Sequence, residues 1–226
     1  MTRAEVVLFD FGGTLDADGV HWSPRFHAAY REAGGTLDFA AFEPLFQGSE
    51  VALARLPGVA ALGFRAMIEA QARLLVELLP DRARVDTRHV AERFHAAALA
   101  VVGRNTPILE RLARRYRLGI VSNFTGNLVP CLEELGLARL FATVSDSGRL
   151  GWAKPDPRLF QHALAALRAP ADRAWMVGDN FEADIRPAAA LGIATCWLTS
   201  PGRPTPAGLV PTARVDQFPA IERTLG

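Results

Sequence analysis

Asp10, Ser122, Lys154, Asp179 and Asp184 are the side chains through which this 226-residue sequence can do chemistry. Asp10 closes the apolar run Glu5-Val-Val-Leu-Phe, and Gly12-Gly13-Thr14 turns the chain behind it. Ser122-Asn123 follows Leu118-Gly-Ile-Val. Gly178-Asp179-Asn180 follows Ala174-Trp-Met-Val, and Asp184 comes shortly after. Carboxylates brought together repel one another unless a cation sits among them. Hard oxygen donors in such small number suit Mg2+, which keeps waters and shares a substrate phosphate. A divalent ion, an ammonium, a hydroxyl and the N–H groups of a glycine-rich turn make a phosphate cradle. A carboxylate held in that cradle can attack phosphorus and form an aspartyl phosphate.

Lys154 is singled out by composition. Of the 25 Lys+Arg residues it is the only lysine. A compact ammonium on a flexible stem does what a planar guanidinium cannot.

For these groups to meet, the chain must bring the ends of several strands to one edge. Apolar runs at 5–10, 118–122, 140–144, 174–177 and 193–198, with a short one near 213–215, alternate with helical stretches at 107–116, 126–135, 156–168 and 184–191. That rhythm predicts parallel βαβ units in a doubly wound, Rossmann-like α/β sheet. Such sheets bind ligands beyond the C-terminal ends of their strands. The polar residues predicted there also include Ser145 and Asp146, the latter read as a loop residue with local hydrogen bonds. Between the first strand and the rest lie helices only, at 24–34, 38–46, 59–79 and 86–101. The expected organisation is therefore a core of residues 1–16 and 103–226 with an all-helical cap of residues 17–102 inserted in it. Pro201–Pro211 reads as a loop.

Composition narrows the function classes. A net charge of +1 offers no field for gathering nucleic acid or an anionic membrane. The longest apolar runs are too short to span a bilayer, and Met1-Thr2-Arg3 leads too quickly into Asp10 for a signal peptide. Two cysteines, Cys131 and Cys196, make no disulfide framework, so a cytoplasmic setting is expected.

Taken in order, four motifs resemble the haloacid dehalogenase-like hydrolase superfamily. They are Leu8-Phe-Asp10-Phe-Gly12-Gly13-Thr14, Ile120-Val-Ser122-Asn123, Ala153-Lys154-Pro155 and Val177-Gly-Asp179-Asn-Phe-Glu-Ala-Asp184. The helical insertion resembles that family's helical cap of the first type. The resemblance implies that Asp10 is the nucleophile and a Mg2+ ligand, with the Gly12 carbonyl and Asp179 also on the metal, and Asp184 either a further ligand or the residue that fixes Lys154 or a metal-bound water. It implies that Ser122 and Lys154 act on the phosphoryl group, and that Gly13, Thr14 and Asn123 help bind it. The implied substrate is a small phosphorylated metabolite, and the implied assembly a monomer or homodimer.

One position departs from the pattern. Phosphatases of the superfamily carry an Asp where this chain has Gly12, as general acid and base. Loss of such a group costs about 10²–10⁴ in rate. Asp16, Asp18 and His21 lie just downstream, and one of them, Asp16 or Asp18 first, is expected to substitute. Restoring the acid by Gly12→Asp is expected to raise turnover. Phosphonate hydrolysis needs a cap lysine, and the chain has none there. What remains is a Mg2+-dependent phosphoric-monoester hydrolase working through an aspartyl phosphate, or a catalytically weak relative that binds a phosphorylated ligand or a protein partner. A haloacid dehalogenase ranks below both. On the cap, Arg25, His27, Arg31, Arg65, Arg73, His89 and Arg93 are candidates to read a second anionic group, and Leu62, Met67, Leu74 and Leu78 read as cap core.

Overall fold

Val6–Phe9, four apolar residues without a break, form β1, and all four are buried. With β2 (Arg117–Ser122), β3 (Phe141–Asp146), β4 (Ala174–Gly178), β5 (Ala194–Leu198) and β6 (Ala213–Val215) they make one parallel sheet in the order β3-β2-β1-β4-β5-β6. A run without polar alternation suits a strand covered on both faces. The structure is a computed structural model and describes residues 4–225. Met1–Arg3, expected to lead into the first strand, and Gly226, expected in the core, lie outside the described residues. The topological switch falls at β1, which pairs with β2 on one side and β4 on the other. Phe9 is level with Ile120 and with Val177, so the segments beyond β1, β2 and β4 emerge side by side.

The insertion holds α1 (Trp22–Glu32), α2 (Phe39–Ala54), α3 (Phe64–Leu78) and most of α4 (Thr87–Ala113). Its core is aromatic. Phe26 stacks on Phe94 at 4.1 Å between ring centroids, and Trp22 lies edge-on to Phe94 at 5.1 Å. Phe11, in the turn after β1, packs edge-on against Phe64 of α3 and Phe124 beyond β2. One ring thus ties the sheet edge to the insertion. The remaining helices, α5 (Leu128–Glu134), α6 (Ser147–Leu150), α7 (Pro157–Leu167), α8 (Arg186–Ala190) and α9 (Ile221–Thr224), belong to the sheet's layers.

Helix boundaries differ from expectation in three places. The helix expected at 38–46 runs on to Ala54 as α2, with Pro44 inside its first turns. The stretches 86–101 and 107–116 are one helix, α4, which runs through Pro107. An interior proline costs about 3 kcal/mol. Val102, Asn105, Ile108, Leu109 and Leu112 nonetheless form one continuous buried face, and that packing outweighs the lost backbone bond. α4 therefore crosses the expected cap–core boundary at residue 103 without a break. In the other direction, 59–79 is not one helix. A short 3-10 turn, Val59–Ala61, ends at Leu62, and α3 starts at Phe64. Here the sheet side grips the insertion: Asn127 Nδ2 donates to the Leu62 carbonyl at 2.9 Å, and Arg65 N donates to Glu134 Oε1 at 3.0 Å. A Cβ on Gly63 would stand 2.1 Å from Glu134 Oε2, so a larger residue there would push that carboxylate off Arg65 N.

Candidate functional site

At the end of β1, Asp10 Oδ1 accepts hydrogen bonds from Ser122 Oγ at 2.9 Å and Lys154 Nζ at 2.6 Å. Oδ2 has no hydrogen-bond partner among the described residues, and it is the oxygen left for an incoming group. Lys154 Nζ also donates to Asp184 Oδ1 at 2.6 Å. Burial alone would lower the lysine's pKa, but Asp10 and Asp184 overcome that and hold it above its ordinary value. The ammonium is therefore a permanent charge. Asn123 fixes its backbone from both sides: Nδ2 donates to the Lys154 carbonyl at 3.1 Å, and Oδ1 accepts from Lys154 N at 2.7 Å. The Asn123 amide, expected beside the phosphoryl group, is spent on placing the lysine.

The turn after β4 returns a second carboxylate to the same point. Residues Phe181–Ile185 form one wide π turn, capped by Asn180 Oδ1 on the N–H groups of Glu182 and Ala183. Such turns gather at functional sites. This one aims Asp184 back under Asn180, whose N–H donates to Asp184 Oδ2 at 3.0 Å. A Cβ on Gly178 would stand 2.3 Å from the same oxygen. Asp10, Asp179 and Asp184 each offer an oxygen within 4.8 Å of the others. Burial, then the charges of Asp10 and Asp184, push the Asp179 carboxyl well above its ordinary pKa. Burial also raises Asp184, against the pull of Lys154. One ammonium does not balance three buried carboxylates. A divalent cation with oxygen preference removes that repulsion, so the donor set fits Mg2+.

Gly13 and Thr14, expected against the substrate, stand behind the site instead. Gly13 N donates to Asp16 Oδ1 at 2.7 Å, and Thr14 Oγ1 donates to Asp179 Oδ1 at 3.3 Å. Gly13 has φ +92°, and a Cβ there would press on Asp179 Oδ2 at 2.5 Å. Glycine is required by both conformation and space. Asp146 ties the loops beyond β2 and β3, accepting from the N–H groups of Gly126, Leu128 and Gly148.

The two residues expected first to replace the missing acid are engaged elsewhere. Asp16 is fully buried, and its Oδ2 accepts from Trp22 Nε1 at 2.8 Å and Arg25 Nη1 at 2.7 Å. Asp18 pairs with both terminal nitrogens of Arg104 at 2.8 Å and accepts from Phe218 N. Neither lines the cavity over Asp10. That cavity, of about 140 Å³, is roofed by the insertion through His21, Trp22, Glu50, Leu53, Met67 and Gln71. None of the seven basic cap residues is in its lining. Met67, read as cap core, is both buried and on the cavity wall.

Sequence reasoning passed over Glu50 and Gln71. Their signal was present in the spacing. Phe46, Glu50 and Leu53 share one face of α2, as Phe64, Met67, Ile68, Gln71 and Leu75 share one of α3. Each polar residue interrupts an apolar stripe.

The family described as haloacid dehalogenase-like hydrolase matches residues 4–192. A phosphoserine phosphatase of Thermus thermophilus is 31% identical over 94% of this chain and 88% of its own. The pyrimidine 5'-nucleotidase YjjG of Escherichia coli is 34% identical over 52% of this chain, and the match spans 53% of its length. Among solved structures, a dehalogenase superposes with a TM-score of 0.69 at 18% identity, covering 99% of this chain and 98% of its own. The HAD-hydrolase YfnB of Bacillus subtilis, solved with magnesium bound, superposes with a TM-score of 0.60 at 18% identity, covering 99% of both chains.

Proposed function

This chain belongs to the haloacid dehalogenase-like hydrolases, and from that premise we propose that it is a Mg2+-dependent phosphoric-monoester hydrolase acting on a small phosphorylated metabolite. The observation that carries this reading is the pair of bonds from Ser122 and Lys154 to one oxygen of Asp10, which leaves the other free beside two further carboxylates. The phosphatase relatives support the same class.

In this reading Asp10 Oδ2 attacks phosphorus in line, the P–O bond to the alcohol breaks, and an aspartyl phosphate forms. Lys154 and Ser122 hold the carboxylate in the attacking orientation and lie close to the phosphoryl oxygens. A Mg2+ ion held by Asp10, Asp179, Asp184 and the Gly12 carbonyl would neutralise the charge that develops in transfer. Water then attacks phosphorus, phosphate leaves, and Asp10 is regenerated. Gly12 supplies no proton to the departing alcohol, so turnover depends steeply on how good the leaving group is. Residues 17–102 serve as the cap over a core of 1–16 and 103–226. A cytoplasmic setting accords with two buried thiols, both free.

A second reading, dehalogenation of a haloacid, is favoured by the same glycine, because a halide leaves without a proton. Against it stands the three-carboxylate cluster, whose donor set fits a divalent cation that a halide-releasing reaction does not need. The deciding experiment is hydrolysis of p-nitrophenyl phosphate with and without Mg2+, wild type beside Asp10→Asn. Metal-dependent turnover lost in the variant supports the phosphatase. Metal-independent halide release from a 2-haloacid, with no phosphate release, overturns it.

A further inference from the structure

On the cap side of the cavity two lining residues carry acceptors without a partner among the described residues. Gln71 is 1% exposed, and its amide orientation is set by a chain of donors. Ser49 Oγ donates to the Phe46 carbonyl at 2.6 Å, so it accepts from Gln71 Nε2 at 2.7 Å. Gln71 Oε1 is left buried and without a partner. A buried acceptor in that state costs about 1–3 kcal/mol. One helix away, Glu50 lines the same cavity and makes no hydrogen bond or ion pair with any described residue. Burial, then the charge of Glu43, raises its carboxyl to about 7. Leu53 and Met67 form the apolar wall around the pair.

We propose that Glu50 and Gln71 form a subsite for a hydrogen-bond donor, a hydroxyl or an ammonium, carried on the alcohol part of a small phosphomonoester. This rests on the phosphatase reading for what occupies the other end of the cavity. The two acceptors are complementary to one another in what they take. An amide oxygen receives a single N–H or O–H, and the carboxyl beside it receives a second one or balances a positive charge. With Glu50 ionised, neither offers a donor to a second phosphate or a carboxylate, so the ionised subsite disfavours substrates with two anionic ends. The size of the cavity holds the alcohol to a few heavy atoms.

The test uses three esters of one shape: ethyl phosphate, 2-hydroxyethyl phosphate and O-phosphoethanolamine. Their kcat/KM values are measured with Mg2+ in the wild type, Glu50→Gln and Gln71→Leu. Dissociation constants for the same esters are measured by calorimetry on Asp10→Asn. The expected result is a preference of roughly tenfold or more for one or both donor-bearing esters over ethyl phosphate. A preference for O-phosphoethanolamine that Glu50→Gln removes identifies an ammonium. A preference for 2-hydroxyethyl phosphate that Gln71→Leu removes identifies a hydroxyl. Equal values for all three esters, or a preference unchanged in both variants, overturns the subsite, the latter because it belongs to the leaving group alone. Hydrolysis of none of them, with the ranking kept in the dissociation constants, overturns the phosphatase reading and leaves the subsite standing.

Discussion

The indole of Trp22 lies where a side chain at position 12 would begin. A Cβ built on Gly12 would stand 3.0 Å from Trp22 Nε1 and 3.3 Å from Cε2. Phe26, Phe64, Phe94 and Phe124 pack around the ring away from the cavity and Asp16 holds Nε1, so making way by a few tenths of an ångström would strain that packing. The glycine and the tryptophan are one feature: an aromatic ring fills the place from which an acid would act.

Gly12→Asp, expected from sequence alone to restore activity, should therefore fail as a single change. It should lower the melting temperature by several degrees, consistent with ~1–3 kcal/mol of overpacking, with no gain in kcat. Gly12→Asp combined with Trp22→Ala should turn over a poor leaving group faster than either single variant. A single Gly12→Asp variant that is both stable and faster would show that the indole yields.

Asp16 is a strut. Asp16→Ala leaves the half-buried Arg25 guanidinium, the Trp22 Nε1–H and the Gly13 N–H without their acceptor, and should cost about 2–4 kcal/mol in denaturant unfolding. Asp18→Asn, by contrast, should keep the pH profile of kcat/KM unchanged. A lost basic or acidic limb in that profile would restore Asp18 to a role in proton transfer.

Removing the lysine should expose the repulsion it balances. Lys154→Met leaves Asp10 and Asp184 buried without their ammonium. Phosphatase turnover should fall by at least about 10³, and thermal stability should drop. Added Mg2+ should then raise the melting temperature of this variant more than that of the wild type, by preferential binding to the folded state. An equal rise in both would mean that Lys154 and the ion do not share the carboxylates.

Glu50 imposes a pH dependence on stability. Its carboxyl moves from 4.5 to about 7 in the folded chain, raised by burial and by Glu43 on its own helix. His21, Asp10, Lys154, Asp179 and Asp184 face it across the cavity. The folded state binds the proton more tightly than the unfolded state between these two values. Stability is therefore lost as pH rises from 4.5 through 7, by about 3 kcal/mol at most. Glu50→Gln should stabilise the protein at pH 8 and do little at pH 4.5. A shift in melting temperature of the same size at both pH values would refute the account.

The strand ends were legible because each is an apolar run stopped by a polar residue. Asp10, Ser122 and Asp179 could be expected on one edge from that, whereas Asp184 and Lys154 joined them only through the joint order of the motifs. What stayed hidden depends on packing between elements far apart in sequence. Nothing in the local pattern says that Trp22 folds back over Gly12, or that Asp16 points inward to meet Arg25. Pro107 reads as a stop signal, and only the buried face of α4 on both sides of it explains why the helix continues. Glu50 and Gln71 were visible as interruptions of apolar stripes, but which cavity they face is decided by how α2 packs on α3.

The unbroken α4 makes the insertion a lever. Its residues 87–102 reach about 24 Å at the usual rise per residue. The fulcrum is clamped: Asn105 Nδ2 donates to the Leu15 carbonyl, and Arg104 holds Asp18. A tilt of about 10° at that point would swing the far tip by about 4 Å, and it would have to break the hold of Asn127 and Glu134 on residues 62–65. The backbone bond that Pro107 cannot make lies at the root of that arm.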